Sequence, residues 1–495
     1  MKQQHIPGLN AYVLPHIRFP LARTAIPRNH GTDFTGGSGG EMIVCNGIDA
    51  RTGRPLIEIS EEELTDLIAK SAIGTGPEQV GVGAAAALPW DVIPTEVAQA
   101  GWSVVFAHSE QAEVRAALEP LVAHRASQVD AVNLHQHEYF PGEDLIGWLA
   151  RHAVNPGTID PSRVGYYVLL VGSPAQIPFE FQYLLDIEYA VGRVAFDTPE
   201  EYQRYAESVV AAEAGDPARD RVAAYWGTRH AWDRATKLSA DQLLQPLLPG
   251  DESEGLAERF GYRSIGVVGD GATRQALLDL LAGHDAGAGR PGLLVTASHG
   301  LGGLPADSPD QRSQHGALVC QDWTGGPVGP SVTLAGTDVA DAKVHGLIAF
   351  LFACYGAGTP QLDDFPRYGS VAPQIATEPF VACLPQRLLA HPDGGALAVI
   401  GHVERAWGYS ITSAGGSQLG RFKDVFGQLV SGVPVGHSMR TFNEAYAILS
   451  TTLARSLRSV DGDANERRRL LTLWMERTDV QNYVVLGDPA VSLRS

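Results

Sequence analysis

Two apolar runs, Leu293 to Ser298 and Leu347 to Ala353, constrain this chain more than any other feature. Both are continuous rather than alternating and both stop at glycine-containing segments, the pattern of strands buried on both faces of a parallel sheet. Such strands present their C-terminal ends at one edge, where open α/β sheets place ligands. The first run stops at His299-Gly300 and the second at Cys354-Tyr355-Gly356. An imidazole and a thiol are therefore expected at the same edge of one core.

A free thiol is only slightly ionised at neutral pH, and a nearby imidazole raises the thiolate fraction or accepts the proton. His299 and Cys354 stand 55 positions apart, room for a crossover connection and one further element between neighbouring strands. Taken singly, each residue fits a plain packing role. Taken as a pair, with Gly300 behind one and Gly356 and Gly358 behind the other, they favour chemistry, because glycine lets backbone approach a substrate and expose its amides. The arrangement resembles the caspase-type cysteine peptidases, whose His lies about 50 residues before a small-residue, Cys and Gly segment. It resembles equally their gingipain, metacaspase and separase relatives, with Ala353-Cys354-Tyr355-Gly356 as the matching piece.

Further stretches sharpen the likeness toward the gingipain-like branch. Tyr166 to Phe179, then Asp186 to Arg193, then Phe196 to Glu201 resemble that family's strand, Gly-Arg segment and following helix. Tyr483 to Leu493, with Gly487-Asp488-Pro489, resembles its closing strand. The likeness covers roughly the last two thirds of the chain, from 166 to 493, and departs at Ser173, where relatives often carry Asp.

The resemblance implies an α/β fold with a mostly parallel, helix-flanked sheet and an N-terminal α/β subdomain. It also implies a cysteine endopeptidase acting on protein or peptide substrates. Cys354 would attack the peptide carbonyl to form a thioester, and His299 would protonate the leaving amine and activate water. The backbone amides of Gly300 and Cys354 would form the oxyanion hole. No metal or organic cofactor is required, and no third catalytic carboxylate is assignable from sequence. Asp186 and Glu404 are the candidates for a pocket selecting Arg or Lys before the cut, while Arg405 and Arg367 support the opposite preference. Two rival readings stand beside this one: a caspase-like scaffold that binds a partner without cleaving it, and a thiol acyl hydrolase on small esters or amides. An activating partner remains unidentified in either case.

Composition fits an intracellular enzyme. The chain has 495 residues, 44% of them apolar, enough for a large core in two or three units. Its net charge of −19, without any basic run, argues against nucleic acid as a partner. Cys45, Cys320, Cys354 and Cys383 lie far apart, so neither a zinc cluster nor a disulfide framework is suggested, and the three other than Cys354 read as structural. The N-terminus lacks a secretory pattern and no run of about 18 apolar residues occurs, which excludes a membrane partner and predicts a cytoplasmic protein. The excess of Arg over Lys, with abundant Ala and Gly, hints at a GC-rich bacterium.

Three regions are expected: an N-terminal extension over 1–75, an α/β subdomain over 76–215, and a caspase-like catalytic subdomain over 216–495. The first includes a Gly-rich loop at 31–40, a hairpin near Arg51 to Arg54, and a helix opened by the Ser60/Glu63 capping box. The second alternates strands such as Trp102 to Phe106 with helices such as Pro199 to Ala214, ending near Gly215-Asp216-Pro217. In the third, strands are expected at 221–226, 293–298, 316–320, 347–353 and 396–403, with a long helix near 437–458. Gly266 to Arg274 lacks the Lys-Ser/Thr ending of a phosphate loop and reads as a turn before a helix capped by Thr273. His135 and His137 could face one side of an extended segment, but loop histidines are the plainer reading. The polar stretch Thr359 to Gly369 reads as a mobile loop, with Asp364 and Arg367 as candidate self-cleavage positions.

Overall fold

The computed structural model describes residues 42–72, 88–215, 220–251, 253–283, 289–363, 365, 372–413, 415–457 and 464–493. Arg367, Asp364 and the Gly-rich loop at 31–40 lie outside them.

Strands in chain order are β1 (Gly47–Asp49), β2 (Trp102–Ala107), β3 (Leu134–Tyr139), β4 (Tyr167–Val171), β5 (Ala190–Val194) and β6 (Val222–Gly227). They continue with β7 (Arg263–Val268), β8 (Leu293–Ala297), β9 (Gly300–Gly302), β10 (Leu318–Val319), β11 (Thr333–Leu334) and β12 (Ile348–Phe352). The short β13 (Gly358–Thr359) and β14 (Phe380–Val381) pair with each other, as do β16 (Thr412–Ser413) and β17 (Gly416–Ser417). Between them comes β15 (Ala398–His402), and last in sequence β18 (Tyr483–Gly487). Ten strands form one sheet in the order β3-β2-β4-β5-β18-β15-β12-β8-β6-β7, and β1, β9, β10 and β11 form a small second one.

The inner strands are buried on both faces: every residue of β2, β4, β5, β6, β8, β12, β15 and β18 is buried. Their continuous apolar composition is what two helical layers require. The two edges differ. β3 carries His135, Gln136, His137 and Glu138, polar side chains where an open ladder would invite a second chain, whereas β7 has Arg263 and Ser264 only at its start and continues with partly exposed Ile265, Val267 and Val268. Within each half the strands are parallel, β2, β3, β4 and β5 on one side and β6, β7, β8, β12 and β15 on the other. β18 runs antiparallel to β15 and bridges to β5 through Leu486 and Arg193. The halves share one functional edge: a Cβ on Gly358, past the end of β12, would lie 2.6 Å from Phe179, past the end of β4. This is the mixed α/β, mostly parallel, helix-flanked sheet expected from the sequence.

Helix starts follow local rules. Ser60 and Glu63 exchange backbone and side-chain hydrogen bonds at the start of the helix Glu61–Ala72. Thr273 accepts from Ala276 N at 3.2 Å ahead of Arg274–Ala282. Of the stretch Gly266 to Arg274 read as a turn, Gly266 to Val268 belong to strand β7 (Arg263–Val268), and the turn follows from Gly269. Two helices beyond the sequence reading complete one face, Leu419–Val430 and Ala464–Gln481.

The Gly487-Asp488-Pro489 segment is structural. Asp488 accepts from Arg125 Nε at 2.7 Å and Trp102 Nε1 at 3.0 Å, while Arg125 forks onto Glu213 at 2.7 and 2.8 Å. Burial pushes the Glu213 carboxyl up, but the Arg125 fork with Gln128 and His124 outweighs it and holds the pKa at about 2. A carboxyl with a depressed folded pKa contributes stability at pH above its ordinary value of 4.5, and that contribution disappears as pH falls toward 2. We predict that the native chain loses on the order of 2–3 kcal/mol more than Glu213→Gln over that window, read from urea unfolding at successive pH values. Parallel losses in the two proteins would refute the assignment.

Candidate active site

Three neighbouring strands deliver the site. Ala297 of β8 pairs with Phe352 of β12, and Leu351 pairs with Gly401 of β15. His299, Cys354 and Glu404 therefore leave the sheet at the same level, each just past its strand. Tyr355 and Glu404 both have positive φ, 58° and 69°, unusual for residues with a Cβ. Such strain clusters at sites that force the chain to reverse sharply. Gly300 is obligatory, since a Cβ there would lie 1.8 Å from the Cys354 carbonyl oxygen.

His299 is 1% exposed, and its Nε2 lies 2.7 Å from Asp233 Oδ2. Asp233 caps the short helix Arg234–Leu238, where it also accepts from Ala235 N and Thr236 N. Burial pushes the Asp233 carboxyl up, but the His299 ring and the helix-start donors prevail and hold it well below the usual carboxylate range. An ionised partner at Nε2 leaves Nδ1 as the ring atom available for chemistry, and Nδ1 is buried without a hydrogen-bond partner. Trp323 stands edge-on to the ring at 6.2 Å. Asp233 is the residue that sequence reasoning missed. Its one local mark is a helix-capping position shortly after the strand β6.

Cys354 is fully buried, and its Sγ lies 3.6 Å from Cys45 Sγ and 3.1 Å from Ala406 N, which donates to it. Burial pushes the thiol well up, and the second thiol adds to the effect. No hydrogen bond joins His299 to Cys354: Nδ1 has no partner, and Nε2 belongs to Asp233. The expected pair thus reaches one edge without a hydrogen bond between its members. Cys45, expected to be inert packing, is the nearest thiol to Cys354.

The N–H groups of Gly300 and Cys354 converge on one acceptor, the carbonyl oxygen of Asn46, at 2.9 and 3.2 Å. Two backbone N–H groups thus share one carbonyl oxygen beside the thiol, the bond from Gly300 continuing the β1/β9 ladder. Asn46 immediately precedes β1, which pairs in parallel with β9 from Gly47 opposite Gly300. A Cβ on Gly47 would lie 2.7 Å from Cys354 Sγ, so the strand sits directly on the thiol.

The two candidate pocket carboxylates separate. Glu404 lies at the site, buried and ion-paired to Arg405, with its carbonyl accepting from Tyr355 N. Arg405 also forks onto Asp363, at 2.8 Å through each nitrogen, so all three charges of this cluster are engaged beside the Cys354 loop. Asp186 is not brought there. It precedes β5, accepts from Val191 N at 3.2 Å, and lines a cavity of about 290 Å³ with Tyr166, Tyr189 and Arg440 at the opposite edge of the sheet. Burial pushes its carboxyl well up. Nearby Arg193 spends its guanidinium on Gln182, Gly172 O and Pro178 O, bracing the loop after β4.

Other sequence candidates are accounted for. Cys320 is buried with its thiol pushed up by burial, and Cys383 is partly buried. His135 and His137 lie on β3 rather than in a loop, and His137 packs on His152 at 4.1 Å. Among the described residues no group of three His, Cys, Asp or Glu could hold a metal ion, and no helix is long and apolar enough to cross a membrane.

No known family model matches the chain, and no curated protein matches it. A solved structure described as "Structure of Protease" is similar over 79% of this chain and 78% of its own, with 14% identity and a TM-score of 0.45.

Proposed function

We propose that this chain is a cysteine endopeptidase with Cys354 as nucleophile and His299 as acid and base, held here in a latent arrangement. The observation that carries the reading is the convergence of Gly300 N–H and Cys354 N–H on a single carbonyl oxygen between the two residues. In the working geometry the carbonyl of the residue before the cut takes that position, and Cys354 gives its thiol proton to His299 Nδ1 as its Sγ attacks the carbonyl carbon. The developing oxyanion is stabilised by the two N–H groups, each donor of this kind contributing about 3 kcal/mol to the barrier. His299 Nδ1 gives its proton to the leaving amine, which departs as the thioester forms. His299 then draws a proton from water, hydroxide attacks the thioester, and the acid product and free thiol are regenerated. Asp233 acts through the ring by fixing its orientation and stabilising the imidazolium.

The buried, unionised thiol favours a second reading, a scaffold of this fold that binds a partner and cleaves nothing. A fluorogenic peptide library varied before the cut, offered to the native chain and to Cys354→Ala, separates the two. Turnover lost in the variant supports the peptidase. Turnover by neither, with Cys354 inert toward peptide electrophiles in urea-loosened protein, supports the scaffold.

The position of Asp186 on the far edge gives a third expectation. Asp186→Asn should leave kcat/KM within about twofold of native for every peptide in the library. A selective loss on Arg or Lys peptides would return Asp186 to the pocket.

A further inference from the structure

Segment 44–49 crosses the site as an extended peptide, residues 47–49 as the edge strand β1 and residues 44–46 against the loop after β15. Val44 O accepts from Gly408 N at 3.3 Å, Cys45 bridges Trp407 in antiparallel fashion, and Asn46 N donates to Ala406 O at 2.9 Å. Backbone pairing of this kind is how sheet edges bind extended peptides, and alternate side-chain pockets then set the selectivity. Directly after this pairing comes the Asn46 carbonyl in its two-donor cradle, followed by Gly47 against the Cys354 thiol. The order is that of a substrate: two residues paired with the loop after β15, a carbonyl in the hole, and a scissile bond at the nucleophile.

Resting on the peptidase reading, we infer that residues 44–47 are an internal substrate strand that blocks the cleft, with Asn46 at the position before the scissile bond, and that the cleft selects asparagine there. Asn46 is 1% exposed, its Nδ2 donates to Ser298 O at 3.3 Å, and its Oδ1 is buried without a hydrogen-bond partner. A carboxamide suits this pocket. A carboxylate in its place would find the nearby Arg405 already engaged by Glu404 and Asp363, and a guanidinium or ammonium would find those two carboxylates already held by Arg405. Gly47 is required for seating, since a Cβ would meet Leu56 at 2.5 Å as well as Cys354 Sγ at 2.7 Å.

The test uses fluorogenic peptides Ac-Ile-Val-Ser-X, with X as Asn, Gln, Arg, Lys or Asp, offered to the full native chain and to Gly47→Val, whose side chain cannot seat beside the thiol. The expected result is cleavage after Asn in preference to the other four, and a rate about tenfold or more higher in Gly47→Val than in the native chain. Cys45→Arg, which sets a cation against Cys354, serves as the second displacing variant should Gly47→Val not fold. Preference for Arg, Lys or Asp, or equal rates in native and displaced chains, would overturn the inference and leave the peptidase standing. No cleavage of any peptide by native or displaced chains, each showing a cooperative unfolding transition, would overturn both.

Discussion

Cys354→Ala is expected to lower kcat/KM for the preferred peptide by a factor on the order of 10⁴ or more, because without a nucleophile only binding and the backbone donors remain. The comparison is sharpest in the Gly47→Val background, where the strand over the thiol cannot seat. The loss should not come from unfolding. The variant removes one sulfur from a site enclosed by Cys45, Gly47 and Ala406, and Ala406 N loses its acceptor. A cavity of that size with one broken weak hydrogen bond costs about 1–2 kcal/mol, a modest shift in thermal midpoint. Residual cleavage at the native rate would remove Cys354 from the chemistry altogether.

Asp233→Asn should be the second largest effect, lowering kcat by roughly 10²–10⁴ with KM little changed. The carboxylate accepts from His299 Nε2, which leaves Nδ1 as the ring's acceptor. An amide at 233 offers an N–H to the same nitrogen as readily as a carbonyl, so the opposite tautomer becomes accessible and Nδ1 loses its role as acceptor. A merely structural role for Asp233, as cap of Arg234–Leu238, would instead lower thermal stability and leave the kcat of the folded fraction intact. The pH dependence separates the two further. Asp233 is held well below the usual range, so its support for the ring is complete above its ordinary value of 3.8 and lost only as pH falls through the lower folded value. The acid limb of the native pH–rate profile should therefore lie above the Asp233 titration. An acid limb unchanged in position and height in Asp233→Asn would discard the positioning role.

Much of the frame was legible because burial on both faces leaves a plain mark. β8 and β12 read as continuous apolar runs, and the residues just past them were the natural candidates. What stayed hidden depends on distant contacts. Asn46 reaches Ser298 across 252 positions and Cys45 reaches Cys354 across 309, and nothing in Val44-Cys45-Asn46-Gly47 by itself announces a strand aimed at a thiol. Asp233 is hidden for a related reason, since a capping aspartate looks alike wherever its carboxylate happens to point. Asp186 misled in the other direction. Its place before the Gly192-Arg193 segment is real, but the chain reaches the start of β5 from the far end of the sheet, so sequence proximity to that strand implies distance from the thiol. Ala464–Gln481 carries too many charges to show a clear apolar stripe.

The position of β18 has a consequence for how the molecule is assembled. The strand latest in sequence, Tyr483–Gly487, occupies the middle of the sheet, between β5 from one half and β15 from the other. Until it arrives, each half presents a raw inner edge whose unpaired amides invite the wrong neighbour. Both halves are made before this strand, and the Arg125 clasp on Asp488 fastens it where they meet. The growing chain therefore cannot join its two halves through β18 until residues 483–488 have left the ribosome, which ties completion of the shared sheet to a segment made well after the strands on either side of it.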